Sequence, residues 1–178
     1  AALALAAGPA SAEKQPAIKP GGPLAQVHQT NERIEKLLRS KKDADDPAAR
    51  AEMRAIANSF LDYDQLARRS LSAHWDKVSA PQRQEFTRTL REMIEKNYEK
   101  RLRTDLDYKI SYGEEKLAGD DATVQTTVKL KTKGKSTDAG IDYKLHKGPT
   151  GWLVYDVITD DVSMVKNYRE QFDKIINQ

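Results

Sequence analysis

The chain contains no cysteine, which excludes disulfides, thiolate zinc sites and cysteine nucleophiles together. Histidine is scarce: His28, His74 and His146 stand far apart. None has a second histidine at the spacing of a helical metal motif, so each reads as a surface or partly packed side chain. Neither sign of charge dominates. The 30 Lys and Arg are interspersed with 27 Asp and Glu for a net charge of only +3, and no basic block is interleaved with aromatics, so the pattern is not a nucleic-acid footprint. No serine sits in a nucleophile-elbow context, and no glycine-rich loop joins a strand to a helix, which argues against triad and nucleotide chemistry. No stretch approaches the ~20 apolar residues of a membrane span, so a soluble mature protein is expected.

At 178 residues without an internal repeat, the chain is expected to form one domain with an N-terminal tail. Ala1 to Ala7 are small and apolar, Gly8-Pro9 breaks the run, and Ala10-Ser11-Ala12 has the small-x-small pattern that precedes signal cleavage. Residues 1–12 read as the remnant of an export signal, which implies a periplasmic location. Glu13 to Pro23, rich in proline and glycine, reads as a flexible leader. The expected division is therefore residues 1–23, signal remnant and leader, and residues 24–178, a single domain.

Within that domain the apolar spacing is first helical. Val27, Ile34, Leu37 and Leu38 predict a helix from about Leu24 to Arg39. The polar run from Ser40 to Asp46 ends it. Asp46 as cap with Pro47 behind it opens a second helix to about Leu61. Asp62 and Gln65 have capping-box spacing for a short third helix bearing Leu66, Leu71 and Trp75. Ser79 and Gln82 repeat the spacing, and Phe86, Leu90, Met93, Ile94, Tyr98 and Leu102 form the face of a long fourth helix to about Arg103.

After Leu106 the period becomes two. Tyr108-x-Ile110-x-Tyr112, Val124 to Leu130, Ile141-x-Tyr143-x-Leu145 and Trp152 to Ile158 predict four strands. Turns fall at Gly119-Asp120-Asp121, Lys133-Gly134-Lys135 and Lys147 to Gly151. Short turns favour an antiparallel meander. Val162, Val165, Tyr168, Phe172, Ile175 and Ile176 then predict a closing helix, its start flanked by Asp160 and Asp161. The fold class expected is α+β: a helical N-terminal half packed on a four-stranded antiparallel sheet with a C-terminal helix, a half-cone around an apolar cavity.

One carboxylate stands out for chemistry. Strict alternation puts Asp156 on the face of Trp152, Val154 and Ile158, where a desolvated carboxylate could act as a base at a carbon acid. Structural pairing, with Arg68 or Arg69 as partner, is the more economical reading. Tyr98, Tyr143, Tyr155 and Tyr168 read as core aromatics or as cavity lining.

Two segments resemble a known family. Leu66-Ala67-Arg68-Arg69-Ser70-Leu71-Ser72-Ala73-His74-Trp75 followed by Pro81-Gln82-Arg83-Gln84-Glu85-Phe86 is the first. The second is Trp152-Leu153-Val154-Tyr155-Asp156-Val157 with Val162-Ser163 and Asn167-Tyr168-Arg169-x-x-Phe172. They resemble the MlaC, or toluene-tolerance auxiliary, family of periplasmic phospholipid-binding transport proteins. Two positions depart from it: the family often has glycine where this chain has Ser72 and Asp161. The resemblance implies a carrier with no catalysis and no cofactor, whose cargo is phospholipid. It implies as partners the lipid-binding subunit of an inner-membrane ABC transporter and an outer-membrane lipoprotein complex. A monomer is expected.

Acyl chains need an apolar cavity between the fourth helix and the inner face of the sheet, while headgroups can remain at its mouth in water. The inward faces predict a lining of Phe60, Leu66, Leu71, Phe86, Leu90, Ile94, Tyr98, Tyr143, Val154, Val157, Val165 and Tyr168. Val154 and Val157 can share a face only if a bulge intervenes. Two other readings stand beside the carrier: a cavity enzyme using Asp156 as base, and a ligand-free adaptor module.

Overall fold

A computed structural model describes residues 16–40, 45–100, 107–132 and 135–177. Residues 1–15, which hold the predicted signal remnant and the start of the leader, lie outside them, as do most of the polar run after Ser40, Leu102 and Arg103 of the predicted fourth helix, and the turn at Lys133-Gly134. The order is α1 (Pro23–Arg39), α2 (Pro47–Phe60), α3 (Tyr63–Leu71), a 3-10 helix (Ser72–Lys77) and α4 (Ala80–Lys100). Then follow β1 (Asp107–Ala118), β2 (Asp121–Thr132), β3 (Lys135–Gly148), β4 (Gly151–Thr159), β5 (Val162–Ser163) and α5 (Met164–Ile176).

The helix starts carry the caps that their sequences promise. Asp46 accepts from the Ala48 amide at 2.9 Å, and Asp62 accepts from the Gln65 amide at 2.9 Å. Ser79 and Gln82 close a full capping box, side chain to backbone in both directions. Helix α1 has only Gly22 as its cap residue, and a distant residue supplies the missing acceptor: Glu115 of β1 takes the Leu24 amide at 2.9 Å. This bond ties the first helix to an edge strand.

Ser72 ends α3 where periodicity alone predicts that the helix runs on to Trp75. Its φ of 47° lies in the left-handed region that favours glycine, so the chain turns sharply and Trp75 is carried on the 3-10 helix. The helical pattern of apolar residues did not reveal the break because both segments keep an apolar side toward the core.

The strands form one antiparallel sheet in the order β1-β2-β3-β4-β5. The fifth strand corrects the expected count of four. Thr159 pairs with Val162 across Asp160 and Asp161, which have φ values of 46° and 67°. Positive φ at both central residues is the signature of a two-residue hairpin that matches the twist of its strands. Asp160 braces the turn by accepting from the Gly140 amide at 3.0 Å. Val162 is consequently a strand residue, 63% exposed. Asp161 sits in a turn, not at a helix start, and α5 begins at Met164 with Ser163 as its cap.

Replacing Asp161 with glycine should therefore stabilise the protein by about 0.5–1 kcal/mol, because the left-handed backbone is easier for glycine than for any residue with a Cβ. Thermal unfolding should show the midpoint rising by about 1–4 °C. A fall would mean that the turn carries no relievable strain.

Helices α1, α2, α3 and α5 pack against the sheet, and α4 packs on α2 and α3. Leu61, just past α2, bridges to Val154, and the Asp62 amide donates to the Val154 carbonyl at 2.8 Å. A second, smaller apolar cluster of Leu37, Ala49, Met53 and Ile56 joins α1 to α2. Met93, expected on the apolar face of α4, is 37% exposed.

Candidate functional site

Paired residues of neighbouring strands share a face of a sheet, and the register shows which face is apolar. Val124 stands opposite Tyr143, and Tyr143 opposite Val157; Ala122 stands opposite Leu145, and Leu145 opposite Val154. Between these rows the register shifts: Lys144 pairs with Asp156 while Leu145 pairs with Val154, leaving Tyr155 as an extra residue. This bulge places Val154 and Val157 on one face, as the sequence required for both to line the same site. It also overturns the alternation drawn for Asp156, which falls opposite Lys144 and not with Val154.

Onto this face the helices bring their stripes. Phe60 of α2 meets Tyr143 edge to face, ring centroids 5.7 Å apart. Leu66 comes from α3, and Phe86, Leu90, Ile94 and Tyr98 from α4, while α5 supplies Val165 and Tyr168. Phe86 meets Phe172 at 5.0 Å, and Phe172 stacks on Tyr168 at 6.0 Å. Of the twelve residues predicted as lining, eleven belong to this single cluster. Leu71 is buried but lies outside it. Tyr98 touches the smaller cluster as well.

The cluster also holds Leu24, Val27, Leu61, Ala122, Val124, Leu145 and Trp152, which were not among the twelve. Their signal was present in the same periodicities, and Val27, Val124, Leu145 and Trp152 each lie on a predicted stripe.

Asp156 is what locks α5 onto β4. It is 8% exposed, and its two oxygens are committed: Oδ2 accepts from the Ser163 hydroxyl at 2.6 Å, and Oδ1 from the Val165 amide at 3.0 Å. Ser163 in turn accepts from the Lys166 amide at 3.0 Å. The expected arginine partners are elsewhere. Arg69 lies over the Tyr155 ring, 3.9 Å from its centroid. A buried carboxylate at the N-terminus of a helix, with one donor on each oxygen, is a structural fixture.

Burial pushes the phenol of Tyr168 above its ordinary range. It pushes that of Tyr63 up further, helped by Glu95 and Tyr98, and the Tyr63 hydroxyl is buried with no hydrogen-bond partner among the described residues. All of these groups are neutral at physiological pH, in keeping with an apolar lining.

His74 Nε2 lies 2.8 Å from Asp173 Oδ1, tying the 3-10 helix to α5, while His28 and His146 sit beside Glu32 and Asp121. Among the described residues no three His, Cys, Asp or Glu side chains group to hold a metal ion, and no helix is long and apolar enough to cross a membrane.

A family model described as MlaC protein matches residues 28–178. The chain belongs to the MlaC family. The match runs from within α1 through α5 and so takes in most of the apolar cluster. Among curated relatives, the intermembrane phospholipid transport system binding protein MlaC of Haemophilus influenzae is 27% identical over 128 residues, 69% of this chain. The chain spans only 60% of that relative's length. A phospholipid-binding protein from Ralstonia solanacearum, solved in complex with a phospholipid, has the same fold at a TM-score of 0.67. Its identity is 18%, over 86% of this chain and 87% of that one. The MlaC fold here is thus an α+β arrangement whose five-stranded sheet and five α-helices share one main apolar cluster, beside the smaller one between α1 and α2.

Proposed function

We propose that this MlaC-family chain is a soluble periplasmic phospholipid carrier. The observation that carries the reading is the concentration of apolar side chains from five helices over one face of a sheet, in a fold shared with a protein solved with phospholipid bound. The predicted lining residues from Phe60 to Tyr168 are the proposed contacts for the acyl chains.

The physical demand is large. A two-chain lipid has roughly 30 methylenes, and at ~0.8 kcal/mol each their exposure to water would cost on the order of 20 kcal/mol. Open, polar grooves cannot meet that demand. The groove along α1, for instance, is lined by Gln29, Glu32, Arg33, Glu35, Lys36, Arg39 and Ser40. In this reading the chains instead enter between the α4 and α5 side chains and the rows of Val124, Tyr143 and Val157. The apolar contacts of the empty protein are then exchanged for contacts with lipid, so loading runs near balance.

Direction must accordingly be imposed by partners, for which the family points to the lipid-binding subunit of an inner-membrane ABC transporter and an outer-membrane lipoprotein complex. Residues 1–23 belong to this proposal as an export-signal remnant and leader, and residues 24–178 as a monomeric lipid-binding domain. Catalysis by Asp156 is disfavoured by its two committed oxygens.

Native mass spectrometry of the purified protein should find phospholipid bound at one molecule per chain. Protein that is lipid-free, and that also takes up none from vesicles, would leave the ligand-free adaptor reading in place of this one.

A further inference from the structure

Arg68, Arg69 and Arg169 differ from every other described arginine. The others each have a carboxylate within ion-pair distance. These three, among the described residues, have none, and all three line one cleft of about 530 Å³ between α3, the 3-10 helix and α5.

Their placement is organised. Arg169 reaches across from α5 and donates from Nε and a terminal nitrogen to the Arg69 carbonyl, at 3.3 and 3.1 Å. Arg69 donates its Nε to Gln65 at 3.2 Å and stacks on Tyr155, which orients its guanidinium. The Arg68 side chain is exposed and, among the described residues, makes no hydrogen bond. Ser72 also lines the cleft, held at positive φ. The only carboxylate among the described residues lining it, Asp76, has a side chain 89% exposed and faces Arg83 at 3.8 Å.

Three guanidinium groups gathered with no carboxylate within ion-pair distance of any of them repel one another. A strained backbone at the same place is a feature that folds keep at functional sites. Arginine forks recognise phosphate and carboxylate alike, but cations supplied from two helices around a pocket suit a tetrahedral group with several terminal oxygens better than a planar one.

We propose that this cleft binds a phosphate group, either that of a phospholipid headgroup or free phosphate. The cleft adjoins the apolar cluster through Trp75, which lines the one and packs against the other. Burial of the chains requires no charged headgroup site, so the cleft would add selectivity for phosphate.

The test is amide and arginine Nε–H nuclear magnetic resonance of the 178-residue chain, titrated separately with inorganic phosphate and with dihexanoyl phosphatidylglycerol. Saturable shifts at Ser72, Arg69 and Arg169 are expected. Response to phosphate alone would assign the site to the free ion, response to the short-chain lipid alone would assign it to the headgroup, and response to both would assign it to the shared group. Arg68→Gln should weaken binding by about tenfold, the loss expected for one charge-assisted hydrogen bond. Arg33→Gln, the same charge change on α1, should not. The proposal is overturned if neither ligand shifts the cleft signals, or if the Arg68 variant binds as tightly as the parent.

Discussion

Asp156→Ala should lower the stability of the protein by about 3–4 kcal/mol, the sum of a lost charge-assisted bond from Ser163 and a buried Val165 amide left without an acceptor. For a chain of this length that is a fall of about 6–16 °C in the thermal midpoint. The loss should be concentrated at α5, whose first turn is held to β4 by this carboxylate and by the short Ile158–Ser163 pairing.

Asp156→Asn should be much milder, about 1 kcal/mol. Its Oδ1 can still accept from Val165 and its amide can donate to the Ser163 oxygen, so only the charge facing the helix dipole is lost. Hydrogen exchange of the α5 amides separates the two variants: fast exchange in the alanine protein, near-parental exchange in the asparagine one. Equal midpoints for Asp156→Ala and the parent would show that α5 is held by its apolar face alone.

Phe60→Ala should have the largest effect among the core positions. Phe60 is 2% exposed at the end of α2 and packs edge to face on Tyr143. Removing the ring takes away its transfer free energy and leaves a cavity between α2 and the sheet, a loss of about 3–5 kcal/mol. The proposed function adds a second expectation. A ligand that binds only the native state raises stability by mass action, and an acyl chain can occupy part of the vacated volume.

The deficit of the Phe60 variant should therefore be smaller in lipid-loaded protein than in protein stripped of lipid. Unfolding of both forms, with bound lipid quantified, checks this. An identical deficit in the two forms would place Phe60 away from the bound chains.

The helical half was legible because its signals are local. Asp46-Pro47, Asp62-x-x-Gln65 and Ser79-x-x-Gln82 announce helix starts through bonds spanning only two or three residues, and all three caps form. The alternation of Ile141, Tyr143 and Leu145 likewise identified a strand with one apolar side, and eleven of the predicted lining residues did converge. What escaped were features shorter than the period used to find them. The break at Ser72, the two-residue strand β5 and the bulge at Tyr155 each change backbone direction within one or two residues, where 3.6 and 2.0 residue periodicities have no resolving power. The resemblance had already marked Ser72 and Asp161 as unusual, and both lie at positive φ.

Composition, caps and periodicity by themselves determined that this protein is α+β, that it has no thiol, and which side of each element is apolar. These depend on interactions between neighbours in the chain, so the chain carries them in readable order. Only the tertiary structure decided the partners of Asp156, the shared face of Val154 and Val157, and the meeting of Arg68 and Arg69 with Arg169, about a hundred residues away. Such pairings arise from the register of strands and the docking of α5, which are set by how all the apolar faces close together and not by any one segment's spacing.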